Sequence, residues 1–143
     1  MIRFLCVAIA GGWLMAAPAR AAPVDDVRSV QTKWAEVFSP LEPDRMAALY
    51  SEDAVFYGSN KLLRSGRDGV RAYYAGLPKG VLIGVVFDNE KVVALTPDVI
   101  SVAGTATFKR ANDTDLVLRL TLVLVKRSGT WLIASHHASE QTQ

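Results

Sequence analysis

The rarest side chains set the first limits on this chain. It has one cysteine, Cys6, in 143 residues. That residue lies in an N-terminal apolar run, so residues 22–143 hold no cysteine at all. Disulfides, thiolate metal sites and a cysteine nucleophile are thereby excluded from them. No apolar run reaches the roughly 20 residues that a membrane span needs. The longest candidate, Phe4 to Ala17, is interrupted by Gly11 and Gly12. Charge of one sign is also missing. Removing Arg3 and Arg20 with a leader takes sixteen basic residues to fourteen, against fourteen acidic ones. With no basic block, nucleic acid is not an expected partner. There is no glycine-rich phosphate loop. The two histidines, His136 and His137, are adjacent. On an extended segment they diverge, and no third ligand has suitable spacing, so neither a metal nor another cofactor is expected.

The chain opens with "MIRFLCVAIAGGWLMAAPARAAP". A positive start, an apolar run and Ala19-Arg20-Ala21 before the cut form the pattern of a cleavable secretory signal. The expected division is residues 1–21 as signal peptide and 22–143 as one mature domain of 122 residues. A periplasmic or secreted location follows, with no membrane attachment after cleavage.

Along the mature part, Val27, Val30, Trp34, Val37 and Phe38 recur at helical spacing between Pro23 and Pro40. A second helix is expected over 43–50, with Pro43 in its first turn and Met46, Leu49 and Tyr50 on one face. A short strand is expected from Ala54 to Tyr57. A third helix, over 67–76, carries Val70, Tyr73, Tyr74 and Leu77 as its stripe. Everything after Gly80 reads as strand: 81–95 with a bulge or bend at Asp88-Asn89, then 99–110, 116–127 and 130–139. Ser128-Gly129 is a two-residue hairpin signal. Helices first and an antiparallel meander after them make an α+β pattern.

The tryptophan helix, "DRMAALYSEDAVFYGS", "GRDGVRAYY" and "LTLVLVKRSGTWLIASHHAS" together resemble the nuclear transport factor 2-like superfamily. The similarity is greatest to its SnoaL-like branch, which is shared with the association domain of calcium/calmodulin-dependent kinase. The resemblance implies a cone-shaped roll: three N-terminal helices packed on a strongly curved antiparallel sheet, with a cavity at the open end. It also implies dimers formed through the sheet, and activities that range from isomerase and cyclase to none. Ketosteroid isomerases of the superfamily place a proton-shuttling carboxylate just after the strand that follows helix two. Here that place holds Tyr57, Gly58, Ser59 and Asn60, none of them acidic.

Counting outward from Ser128-Gly129 in regular register pairs Val123 with Ala134 and Thr121 with His136. One face then carries Arg119, Thr121, Val123, Val125, Leu132, Ala134 and His136. The other carries Leu118, Leu120, Leu122, Leu124, Trp131, Ile133, Ser135 and His137. The mixed face has the composition of a cavity wall, and the leucine face that of dense packing. His136 and Arg119 are therefore the candidate catalytic pair, base and oxyanion stabiliser. A bulge between Leu132 and His136 would exchange the two histidines. The candidate ligand contacts are Trp34, Tyr57, Tyr74, Arg119, Thr121 and His136. Asp53 reads as a turn or cap residue, and Asp88 and Glu90 as solvent-facing. Three functions fit: a dimer that binds a small, largely apolar or anionic ligand, a SnoaL-like enzyme with a histidine as general base, and an oligomerisation module.

Overall fold

A computed structural model describes residues 22–140. The expected signal segment, 1–21, lies outside the described residues. Helix α1 spans Pro23–Phe38. Pro23 suits its first turn, where an N–H would lack a partner anyway, and Asp25 and Asp26 place negative charge at the positive end of the helix. Its buried side is Val27, Val30, Gln31, Trp34, Val37 and Phe38. A short helix α2, Pro43–Ala48, buries Met46 and Ala47. Strand β1, Tyr50–Tyr57, follows and is longer than the expected 54–57. Tyr50 thus starts a strand and does not end a helix. A three-residue strand β2, Leu63–Ser65, precedes helix α3, Gly66–Ala75.

The remaining strands are β3 (Leu82–Thr96), β4 (Val99–Arg110), β5 (Leu116–Arg127) and β6 (Thr130–Glu140). The six strands form one sheet in the order β2-β1-β6-β5-β4-β3. Its connections are antiparallel except one: β1 runs parallel to β6, with Phe56 opposite His136. The sheet is therefore mixed, which corrects the expectation of a purely antiparallel one. The reason is topological. Strand β2 and helix α3 carry the chain across between β1 and the meander, and β6 returns to lie beside β1 in the same direction.

The register shifts at several places in the sheet, and two of these bulges lie inside long strands. Asn89 takes a positive φ of 53°, and the β3–β4 register shifts between Asp88 and Lys91, where the sequence had called for a bulge. The second lies in the last hairpin. Ser128 and Gly129 form its turn with φ of 48° and 81°, the left-handed pair that a two-residue hairpin requires. Pairing is regular from Arg127–Thr130 to Leu124–Ile133, then jumps to Val123–Ser135 and Leu122–His136. Ala134 is the extra residue, and beyond it every side chain of β6 changes face.

The alternation places Leu118, Leu120, Leu122, Leu124, Ile133, His136 and Ala138 on the buried face. With Ile100, Val102, Ala106 and Phe108 of β4 they form the floor of the core. Helix α1 packs on β3, β4 and β6, and α3 packs on β1. This layering buries the leucine face between sheet and helices. The opposite face is left with valines, small polar residues and a few charges.

Candidate functional site

The site is built where α1, β1, α3 and β6 converge. Trp34, from the buried stripe of α1, stacks on Phe38 one turn later at 4.5 Å between ring centres. Tyr74, from α3, meets Trp34 edge-on at 6.1 Å. Tyr50 enters from the first position of β1 and is wholly buried. His136 enters from β6, 6 % exposed.

Their polar atoms meet at one oxygen. The Tyr50 hydroxyl lies 2.8 Å from His136 Nδ1, 3.1 Å from the Tyr74 hydroxyl and 3.2 Å from Trp34 Nε1, which donates to it. Buried polar groups need partners, and here four side chains from four elements satisfy one another. Burial pushes the hydroxyls of Tyr50 and Tyr74 above the usual phenol range, so both stay protonated. Burial also lowers His136 to about 3, with a smaller contribution from neighbouring His137. The imidazole is therefore neutral near pH 7.

A cavity of about 50 Å³ adjoins this cluster. It is lined by the buried Trp34, Tyr74, His136, Phe56 and Phe108 and by the half-buried Tyr73, Leu77, Leu82 and Leu116. None of its lining residues is charged. A second void of about 10 Å³ lies beyond Trp34 and His136, bordered by Val30, Gln31, Leu120 and Leu122. By volume the larger holds a few waters, since each needs about 10–15 Å³. Outside it, a surface depression shares Leu82 and Leu116 and continues over Val81 and Arg110. Gly58 matters to the wall. A Cβ there would stand 2.4 Å from the Tyr73 ring, so only glycine lets that ring lie against β1. The Tyr73 hydroxyl in turn meets the Ser59 hydroxyl at 3.2 Å.

Nearly the whole domain matches one family description. The SnoaL-like domain model aligns with residues 27–142. The chain belongs to the SnoaL-like domain family. Similar solved structures, some of them described as nuclear transport factor 2-like, share its fold. One, from Xanthomonas campestris, is described as a calcium/calmodulin-dependent protein kinase II association domain. It shares 27% identity at a TM-score of 0.77, with 90% of this chain and 94% of that one covered. An NTF-2-like protein of unknown function from Shewanella oneidensis is 24% identical at a TM-score of 0.70, covering 83% of this chain and 100% of that one. A protein from Novosphingobium aromaticivorans, described as a scytalone dehydratase, is 14% identical at a TM-score of 0.67, covering 83% and 84%. These last two likenesses speak for the fold alone. No curated protein matches the chain significantly.

Within this SnoaL-like domain, three of the residues singled out by sequence meet at the cavity: Trp34, Tyr74 and His136. The other three do not. Arg119 and Thr121 are exposed on the opposite face of the sheet, and the Arg119 guanidinium donates to the Glu140 carbonyl at 3.0 Å. Regular alternation had put them beside His136. The bulge at Ala134 separates them, and it is the leucine face that turns to the helices. Tyr57 is 40% exposed and packs beside His137 at 6.0 Å, because Ala54 and Phe56 take the inward positions of β1. The pairing of His136 with Arg119 as base and oxyanion stabiliser therefore has no geometric basis. His137 is exposed on the outer face, opposite Thr121.

The residue missed by sequence is Tyr50. Helical spacing with Met46 and Leu49 made it one more core aromatic. Its signal was available only as a tyrosine at the start of a strand, and nothing local marks such a residue as the meeting point of four polar groups. Among the described residues, no cluster of three or more His, Cys, Asp or Glu could hold a metal.

Proposed function

We propose that this SnoaL-like domain is an exported homodimer that binds a small, largely apolar ligand at the open end of a cone formed by the sheet and three helices. The observation that carries this reading is the buried polar cluster of His136, Tyr50, Tyr74 and Trp34 beside a cavity whose other lining side chains are apolar except Ser59 and Tyr73, which pair with each other. Apolar walls with a few convergent polar groups are the usual make-up of a small-molecule site. Replacing all of a neutral hydrogen-bonded cluster by apolar side chains of similar shape can be nearly neutral for stability, so packing alone does not call for these polar groups. The anionic alternative loses its support with Arg119 on the other face. At about 50 Å³ the cavity is small beside the ~300 Å³ or more of typical ligand sites. Entry therefore requires the half-buried Leu77, Leu82 and Leu116 to move outward.

The outer face supports the dimer. One row across it reads Tyr57, His137, Thr121, Ala103, Lys91, and the next reads Val55, Ser135, Val123, Ser101, Val93. These side chains are short or apolar, with charge only at one margin, and so suit a flat self-complementary contact. A second reading is that assembly is the whole function. The small cavity favours it, as does the kinase association domain description of the Xanthomonas campestris protein.

Native mass spectrometry of protein recovered from the periplasm or medium separates the two. Ligand binding predicts a dimer whose chains begin at Ala22 and which carries a small apolar molecule. A ligand-free dimer that takes up no apolar probe supports assembly alone, and an intact Met1 in the cytoplasm ends the export proposal.

A further inference from the structure

The Tyr50 oxygen has a full set of partners, and this fixes more than its own position. A phenol oxygen offers one proton and two lone pairs. Three groups surround it: Trp34 Nε1 at 3.2 Å, the Tyr74 hydroxyl at 3.1 Å and His136 Nδ1 at 2.8 Å. The indole can only donate, so it takes one lone pair. One proton and one lone pair remain for Tyr74 and His136.

Only two arrangements satisfy that count. In the first, Tyr50 donates to Nδ1 and Tyr74 donates to Tyr50. The imidazole proton then sits on Nε2. In the second, Nδ1 carries the proton and donates to Tyr50, and Tyr50 donates to Tyr74. The Tyr74 proton must then find another acceptor. Tyr74 is 2% exposed, and the other group beside its hydroxyl, the Trp34 indole N–H, can only donate and so offers that proton no acceptor. The first arrangement leaves one polar site open, Nε2–H. The second leaves two, the Nε2 lone pair and the Tyr74 proton. An additional unsatisfied buried group is costly, so the first arrangement prevails.

We propose that Tyr50 holds His136 as the Nε2–H tautomer, and that the cavity thereby selects neutral apolar molecules bearing an oxygen acceptor such as a ketone. This rests on the ligand-binding reading of the site. Nδ1 is already taken, so Nε2–H is the imidazole group left to meet a ligand. It donates one hydrogen bond and accepts none. A carbonyl oxygen matches it, and a hydroxyl can meet it only as acceptor. A carboxylate is disfavoured because no cation lines the cavity to offset its desolvation. The same tautomer bars His136 from service as a general base through Nε2. Tyr50 is the positioning residue that makes this so.

The test has two arms. Long-range ¹H–¹⁵N correlation spectra of the uniformly labelled wild-type protein at pH 7 read the tautomer directly, with no ligand or variant needed. His136 is expected to show a protonated Nε2 and an unprotonated Nδ1, and in Tyr50→Phe that fixed pattern is expected to relax toward a tautomer mixture. The second arm titrates acetophenone, ethylbenzene and benzoate. Acetophenone is expected to bind about tenfold more tightly than ethylbenzene, the worth of one hydrogen bond. Benzoate is expected to bind most weakly, and the ketone preference is expected to vanish in His136→Phe. A protonated Nδ1 in the wild type overturns the proposal whether or not the probes bind. Protonated Nε2 with equal affinity for acetophenone and ethylbenzene overturns the selection while the binding reading stands. Protonated Nε2 with no binding of any probe overturns the binding reading and the ligand class with it.

Discussion

The Tyr50 hydroxyl lies 2.8 Å from His136 Nδ1, across 86 residues of sequence. The contact joins the first strand to the last, at the one parallel junction in the sheet. The burial that goes with it, more than the contact itself, ties the neutral state of the histidine to the folded state.

The first prediction follows from that tie. In the unfolded chain a histidine takes up its proton near pH 6.5, but in the fold His136 does so only at about 3. Between those values the unfolded state binds the extra proton. Stability therefore falls as pH drops from 6.5 toward 3, by roughly 1 kcal/mol per pH unit. Urea unfolding at pH 7 and pH 5 measures this. The loss is expected to shrink in His136→Phe, which has no such group to titrate. An equal loss in both proteins would assign the acid sensitivity to other residues.

Tyr50→Phe removes the shared oxygen and leaves Trp34 Nε1, His136 Nδ1 and the Tyr74 hydroxyl without their partner. A loss of about 1–3 kcal/mol is expected, larger than for Tyr74→Phe, which removes one bond at the margin of the cluster. Denaturant midpoints of the two variants, with m-values checked for constancy, give the comparison.

Gly58 predicts a coupling. An alanine Cβ there would meet Tyr73 at 2.4 Å, so the ring must leave its place and its contact with Ser59. Gly58→Ala is expected to destabilise by about 1 kcal/mol, the low end for overpacking, because the half-buried end of the Tyr73 side chain can swing away. In a Tyr73→Ala background the same change is expected to have a much smaller effect, because the obstructing ring is gone. A double-mutant cycle with no interaction energy would contradict this account of the wall.

For the dimer, Thr121 is the informative position. It lies mid-sheet between Ala103 and His137 on the outer face. Two mature chains at about 110 Da per residue give roughly 27 kDa, the mass expected by light scattering. Thr121→Glu would bury a charge in each copy at the proposed contact, and is expected to halve that mass while leaving the circular dichroism spectrum unchanged. A dimer unmoved by the change would place the interface elsewhere.

Much of the fold was legible. β4 and β5 have the bounds that their composition predicts, and Ser128-Gly129 marks its turn without ambiguity. The bulge at Asp88-Asn89 was also visible, as two turn-favouring residues inside a long β-branched run. The site was harder to read. His136 reached the cavity through two departures that compensate. The bulge at Ala134 moved it to the leucine face, and the leucine face turned out to be the cavity side. Alternation cannot reveal a one-residue insertion in a run as uniformly apolar as "WLIAS", because both registers bury equivalent side chains. Arg119 and Thr121 followed the unbulged strand and remained outside. Tyr50 was hidden by a boundary: "MAALY" continues a helical stripe in sequence, yet the helix stops at Ala48 and the tyrosine starts a strand.

The most direct test of a ligand-binding cavity is the electron density of the protein crystallised after purification from its own compartment. The account predicts density for an apolar molecule between Tyr73 and Leu116. One of its oxygen atoms is expected about 3 Å from His136 Nε2, with Leu77, Leu82 and Leu116 displaced outward. A cavity still near 50 Å³ and holding only water, even after soaking with acetophenone at millimolar concentration, would contradict it.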